Sequence, residues 1–244
     1  MSAPAPINTI TICAYNRPDY LEQVLESLHV ALRLCPEFKV ERIFIGVDHG
    51  GYNSEINDFI QSDGYNLEVV YWPEHLGVTE HPRRLLQYVF IERGSAFNLH
   101  LEDDTVLAPD AIRLVEWFRA CMPDPAHILS LHSRSTEPAY LAPSFVMPRP
   151  DFGVWGWATT SYVARRYILP WWNHRRTEPL GWDHSLTDVV GMYKLKVVSP
   201  VLSRVSNIGR EGGAHQTPEG WDLEMEGLVC AGPDQMREIG DFHL

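Results

Sequence analysis

No apolar run in this 244-residue chain approaches the roughly 18 residues of a bilayer-spanning helix. Its first residues do not resemble a secretory signal either, so a cytosolic protein is expected. Cysteine is scarce. Cys13, Cys35, Cys121 and Cys230 lie far apart, without the close spacing of a zinc site or a disulfide framework, and read as reduced thiols. Basic charge is also short. Against 32 Asp and Glu stand 20 Lys and Arg, and the net charge of −12 excludes attraction of the whole surface to nucleic acid or anionic membrane. Repeats, low-complexity tracts and linkers are lacking, so residues 1–244 are expected to form a single domain, and a 45% apolar content suffices for its core.

What the chain does contain is an alternation of strand and helix patterns. Residues 7–13 (INTITIC) predict a strand, after which Pro18 opens a helix carrying Leu21, Val24, Leu25, Leu28 and Leu32 on one face. A second strand is expected over 41–47, followed by a short helix capped by Ser54. A third strand follows over 66–71, then a helix from Thr79 to Arg93 stopped by Gly94, then a fourth strand over 96–101. This repetition specifies an α/β protein with a mostly parallel sheet and helices on both faces. Ligands of such sheets sit beyond the carboxyl ends of the strands. There the chain turns polar four times: at Tyr15, Asn16 and Arg17, at Asp48, at Trp72 to Glu74, and at Glu102, Asp103 and Asp104. Four clusters on one rim describe a pocket.

The acidic triplet is the most informative of them. A buried strand ends in three adjacent carboxylates only where a cation or a ring of donors offsets their repulsion and desolvation. Carboxylate oxygens suit Mn²⁺ or Mg²⁺, which keep coordination positions open for phosphate. The plain alternative is a solvated loop leading into a helix at Pro109. The second half of the chain is less regular and richer in aromatics. A strand is expected within 127–133 and a Pro-rich passage over 138–150, followed by DFGVWGWATTSYVARRY (151–167). Its two glycines beside two tryptophans fit a sugar site, and equally a packed core. Residues 182–193 predict a helix opening with Trp182 and Asp183, 195–205 return to the sheet, and 206–220 read as a glycine-rich loop.

Several segments together carry a resemblance. ITICAYNRPDYLEQVLESL (10–28) resembles the first strand and helix of family 2 inverting nucleotide-sugar transferases. FIGVDHGG (44–51), LEDDTVLAPD (101–110), GVWGWA (153–158), GWDHSL (181–186) and SRVSNIGREGGAH (203–215) resemble, in order, the N-acetylglucosaminyltransferase I type of GT-A glycosyltransferase. The likeness covers about residues 7–216. It implies a Rossmann-like GT-A fold with a nucleotide-binding half of about 7–110 and an acceptor half of about 111–220. It also implies metal-dependent inverting transfer of a sugar from a UDP-sugar to an acceptor hydroxyl on a glycan or small molecule.

The residue roles come from the same resemblance. Arg17 and His81 would contact the nucleotide beside Tyr15 and Asn16, Asp48 would accept a hydrogen bond from uracil, and Asp103 would hold the ribose. Glu102 would face the donor sugar. Asp104 would bind Mn²⁺ or Mg²⁺, with His215 a second candidate ligand, and the metal would neutralise charge on the leaving diphosphate. Asp183 matches the catalytic base, although an aspartate at a helix start is also a common dipole partner. Trp182 would pack on sugar or anchor its helix, and Arg210 with the Gly209–Gly213 loop would close over the diphosphate. His184 and Ser185 depart from the family pattern, which leaves acceptor recognition open. A Golgi enzyme of this type would carry a membrane anchor and stem; without them the expected setting is a bacterial cytosol or that of a virus-infected host.

Three other readings remain in view. A sugar nucleotidyltransferase would place a glycine-rich basic loop after its first strand, where this chain has AYNRPD. A carbohydrate-binding protein would explain the eight tryptophans and leave the acidic triplet unexplained. Finally, ARRYILPWWNHRR (164–176) interleaves arginine with tryptophan as a modified DNA base acceptor would require, or forms an amphipathic helix with packed rings.

Overall fold

A computed structural model describes residues 7–51, 66–121, 127–134, 142–172, 182–211 and 217–244. Its centre is an eight-stranded sheet in the order β3-β2-β1-β4-β8-β6-β9-β7. The first half supplies β1 (Asn8–Ala14), β2 (Arg42–Val47), β3 (Leu67–Tyr71) and β4 (Phe97–Glu102), all mutually parallel. The second supplies β6 (His127–Ser130) and β9 (Lys196–Pro200), parallel to each other, with β7 (Val146–Arg149) and β8 (Trp157–Thr160) antiparallel to their neighbours. β5 (Thr105–Leu107) and β10 (Val205–Asn207) form a separate antiparallel pair.

Strand alternation sends side chains to two cores. Ile10 and Ile12 of β1, Ile43 and Ile45 of β2, and Leu99 and Leu101 of β4 pack with helices α1 (Pro18–Leu34) and α3 (Ala111–Cys121) on one face. All five leucine and valine positions expected to face inward on α1 are buried there. The other face receives α2 (Gly77–Gln87) with its final π turn (Tyr88–Glu92), a run of short helical turns over 161–171 (α4), and α5 (Trp182–Tyr193). α6 (Pro218–Met225) lies later in the chain, with Thr217 capping its first turn by accepting from the Gly220 N–H.

Several boundaries differ from the sequence expectation, each for a tertiary reason. The helix expected at Pro109 begins at Ala111, because the chain first pairs β5 with β10. The glycine-rich loop of 206–220 shrinks from both ends, since Val205–Asn207 pair with β5 and Pro218 starts α6. Pro148 stands within β7, inside the Pro-rich passage. β7 is an edge strand, where the missing N–H costs no ladder bond. The helix expected from Thr79 starts at Gly77, and Gly94 ends it with φ +68°. The short helix capped by Ser54 lies outside the described residues.

Candidate functional site

Strand order decides where the site lies. β2 and β3 extend the sheet to one side of β1 and β4 lies on the other, so the chain reverses its direction of growth between β1 and β4. At such a switch point the loops leaving the carboxyl ends part and open a crevice. The register sets Cys13 opposite Glu102, which makes Tyr15–Arg17 and Glu102–Asp104 neighbours although they lie far apart in the chain. Asn16 takes φ +54°, a left-handed turn that asparagine tolerates, and its N–H donates to the Gly51 carbonyl at 3.1 Å. This turn directs the Tyr15 N–H to Asp103 Oδ2 at 2.9 Å. Arg17 then bridges two carboxylates, donating through Nη2 to Asp103 Oδ1 and through Nη1 to Asp104 Oδ2, the latter at 2.8 Å.

Asp104 is held from a second side. β10 delivers Asn207, whose Nδ2 donates to Asp104 Oδ1 at 3.2 Å, while the Ile208 N–H reaches the Asp104 carbonyl at 2.9 Å. Gly209 follows so closely that a Cβ there would lie 2.1 Å from Asp104 Oδ2. Asp48, at the end of β2, is saturated: its oxygens accept from the N–H groups of His49, Leu76 and Gly77, each at 2.8 Å, and face His75 Nδ1 at 3.0 Å. Two of these donors lie at the start of α2, so Asp48 ties that helix to the sheet. Gly46 lets α2 come close. A Cβ on it would meet His81 Nε2 and Leu85 Cδ2 at 2.9 Å.

These groups line a cavity of about 350 Å³. Of the residues expected at a site, Tyr15, Arg17, Asp48, His81, Glu102, Asp103, Asp104, Trp182 and Asp183 all border it. Asn16 and Arg210 do not. Asn16 shapes the turn beneath, and Arg210 is exposed, forming a bidentate pair with Asp222 of α6 at 2.8 Å. His215 lies outside the described residues. Trp182 is buried and stacked on Trp172, with centroids 4.7 Å apart and planes at 14°, so it anchors α5 while one edge borders the cavity. Asp183 sits in the first turn of that helix, its side chain 37% exposed, with His184 Nε2 at 3.8 Å.

The electrostatics follow from burial. Glu102 is pushed up to about 8 by desolvation and then by Asp104 and Asp103, and Asp183 adds to the effect. Burial lifts Asp103 to about 6 against the pull of Arg17, and raises Asp104 in the same way. Burial disfavours the Arg17 charge, yet the two aspartates prevail and hold its pKa above the ordinary value. Three carboxylates thus face one guanidinium. Such a set of hard carboxyl oxygens fits a divalent cation, whose charge would favour their ionised forms, although among the described residues no three His, Cys, Asp or Glu side chains enclose an ion by themselves. Burial pushes His81 down to about 4, leaving it neutral. Burial, then Glu102, Asp103 and Asp48, keep Cys13 a thiol, which disfavours covalent chemistry through it.

Sequence reasoning gave no role of their own to four residues that border the cavity: His75, Trp155, Asn207 and Gly209. The segments GVWGWA and SNIGREGG contain three of them, but only packing separates Trp155, which borders the cavity, from Trp157, buried against His100 and Phe152. The arginine-tryptophan passage is packed in part, with Trp171 exposed. Trp172 is buried, its Nε1 donating to the Thr79 carbonyl at 2.8 Å, and Arg165 donates to the Phe90 carbonyl. Arg175 and Arg176 lie outside the described residues. No described helix is long and apolar enough to cross a membrane.

No protein-family model matches the chain, and no curated protein does. Solved structures do. A crystal structure of GalNAc-T7 with UDP, GalNAc and Mn²⁺ is similar at a TM-score of 0.64 and 10% identity, over 90% of this chain and 48% of that one. The mannosyltransferase PcManGT from Pyrobaculum calidifontis, in complex with GDP-Man and Mn²⁺, is similar at 0.58 and 14% identity, over 91% of this chain and 61% of that one. The chain spans about half of the first protein's length and three fifths of the second's. Identities this low speak to architecture, and the architecture is the GT-A fold.

Proposed function

We propose that this chain is a metal-dependent glycosyltransferase that moves a sugar from a UDP-sugar to an acceptor hydroxyl, by direct displacement with inversion. One observation carries the reading: Asp48, Asp104 and Asp183, from three distant parts of the sequence, border a single cavity at the switch point of a GT-A sheet. The two solved structures compared hold UDP or GDP-Man together with Mn²⁺, which supports the donor class. The likeness to the N-acetylglucosaminyltransferase I type supports the residue roles.

Each role has a physical basis in the chain's own groups. Arg17 holds fixed positive charge over Asp103 and Asp104, at hand for phosphate oxygens, while Asp103 is a ribose acceptor braced by the Tyr15 N–H. A uracil N–H would approach Asp48 where His75 now stands, its Nδ1 3.0 Å from Oδ2 and its side chain 55% exposed, since the three hydrogen bonds that Asp48 accepts all come from backbone N–H groups. Neutral His81 borders the cavity with a buried ring, packed against the Gly46 backbone. Asp104 would hold Mn²⁺ or Mg²⁺, with His215 a further candidate, and a bound metal supplies charge neutralisation to the departing diphosphate. Asp183 accepts the acceptor hydroxyl's proton as the new bond forms. A base on the side of the anomeric carbon opposite the leaving group yields inversion.

A panel of UDP- and GDP-sugars, incubated with and without Mn²⁺ and scored for nucleotide diphosphate release, tests the reading. Metal-dependent release that disappears in Asp104→Asn and Asp183→Asn supports it, as does inverted product configuration by NMR. Absence of any nucleotide-sugar binding with Mn²⁺ present overturns it.

A further inference from the structure

A second cavity, of about 400 Å³, adjoins the first and shares Val154, Trp155 and Asp183 with it. That volume lies within the roughly 300–1,000 Å³ usual for small-molecule sites. Its remaining walls come from separate elements: His132 and Arg134 after β6, Arg149 and Asp151 at the end of β7, and Glu224 in α6. The fold therefore brings three separate segments to the far side of the proposed base.

The lining's chemistry is distinctive. Arg134 pairs with Glu224 at 3.3 Å and Arg149 with Asp151 at 3.6 Å, so with Asp183 two cations meet three carboxylates. Burial, then Arg134 and Arg149, push His132 down to about 4, so it adds no charge near neutrality. Among the described residues the lining carries no net positive charge of the kind that gathers phosphate, which disfavours a phosphorylated or nucleic-acid occupant. Guanidinium N–H donors and carboxylate acceptors both line this wall, the two kinds of group that a sugar's hydroxyls bond. His132 Nδ1 is buried without a partner among the described residues. Beside it, the half-buried Trp155 ring lies with centroids 4.5 Å apart and planes at 60°, an apolar plane within a polar wall.

An apolar plane framed by balanced donors and acceptors complements a pyranose, which has a C–H face and a hydroxyl rim. We infer that the second cavity is the acceptor subsite, and that its occupant is an uncharged sugar ring seated against Trp155 with one hydroxyl presented to Asp183. The inference rests on the transferase reading of the first cavity. In the reaction the hydroxyl oxygen bonds to the anomeric carbon, and the bond from that carbon to the diphosphate oxygen breaks, its electron pair leaving on the phosphate. The hydroxyl proton ends on Asp183.

Ligand-observed NMR with a panel of methyl pyranosides on the full chain tests this, alongside calorimetric titration with UDP and Mn²⁺. At least one pyranoside is expected to bind and to raise UDP release from the sugar donor. Asp151→Ala and Glu224→Ala, both at partly exposed positions, are each expected to weaken it about tenfold, the loss of one charge-assisted hydrogen bond, while UDP affinity holds. If no pyranoside binds, or binding survives both substitutions, the subsite is elsewhere. Displacement of the sugar by a short DNA oligonucleotide with steep salt dependence would overturn the uncharged-sugar assignment. Failure of UDP to bind sinks the first-cavity reading separately; a pyranoside that then still binds marks a sugar-binding cavity and removes the acceptor role.

Discussion

Gly209→Ala perturbs the proposed metal-binding carboxylate without touching its chemistry. A Cβ at this position would lie 2.1 Å from Asp104 Oδ2, 2.9 Å from its Cγ and 3.1 Å from Arg17 Nη1. Contacts under 3.0 Å are essentially never tolerated by a Cβ, so about an ångström of movement must be found. The carboxylate has little freedom to supply it, because Arg17 holds Oδ2 at 2.8 Å and Asn207 holds Oδ1 at 3.2 Å. The loop is equally tied: the Gly209 N–H donates to Asn207 Oδ1 at 2.8 Å, and the Ile208 N–H to the Asp104 carbonyl at 2.9 Å. Overpacking of this kind costs roughly 1–3 kcal/mol of stability. Misplacing a group by about 1 Å in an aligned site can cost on the order of 100-fold in rate. The variant is therefore expected to lose about two decades of Mn²⁺-dependent UDP release while its urea unfolding transition moves by no more than about 3 kcal/mol. Stopped UDP-release assays and denaturation curves on the same preparations check both. Turnover within about threefold of the parent would show that Asp104 need not stay where the fold holds it.

Asp183→Asn is expected to lower kcat by roughly 10²–10⁴-fold, the usual contribution of a general base, with UDP affinity unchanged by calorimetry; parent-like kcat removes Asp183 from that role. The fully buried pair Arg204–Asp110 closes at 2.9 Å, and Arg204 also donates to the carbonyls of Leu202 and Pro143 at 2.5 and 2.6 Å. Arg204→Met is expected to cost about 3–5 kcal/mol in urea unfolding by stranding Asp110, and Arg204→Met/Asp110→Leu less than the sum of the single changes, whereas an additive cycle refutes the coupling. Burial holds His100 near 3, so between pH 7 and 5 the unfolded chain binds a proton there that the folded chain refuses. Stability tied to His100 is thus full above its unfolded pKa of about 6.5 and falls as pH drops. The raised Glu102 and Asp103 act in the opposite sense, so the readout is a difference: the parent is expected to lose about 2 kcal/mol more than His100→Gln across that interval. Equal losses would show that His100 is not held neutral.

The first half of the fold was legible because its signals are local. Pro18 and the leucine spacing set α1, Gly94 stops the helix before β4, and apolar residues at every second position mark β1 and β4. The acidic triplet was legible for the same reason, as was the aspartate that opens α5. Pairing between distant segments was not. β8 runs antiparallel between β4 and β6, and nothing in Trp157–Thr160 announces its direction, because a strand's period is the same either way up.

Roles that depend on partners were hidden too. Asp48 read as a free acceptor until the α2 backbone filled it, and Arg210 as a phosphate ligand until Asp222 met it. The sequence by itself determined which residue types gather at the strand ends, since periodicity and turn chemistry are written within a few positions of each residue. Tertiary structure alone decided that Asp104 is clamped between Arg17 and Asn207, that Trp155 rather than Trp157 meets solvent, and that Asp183 stands between two cavities. Those relations depend on strand order, and strand order is set by the summed burial of the whole sheet rather than by any one segment.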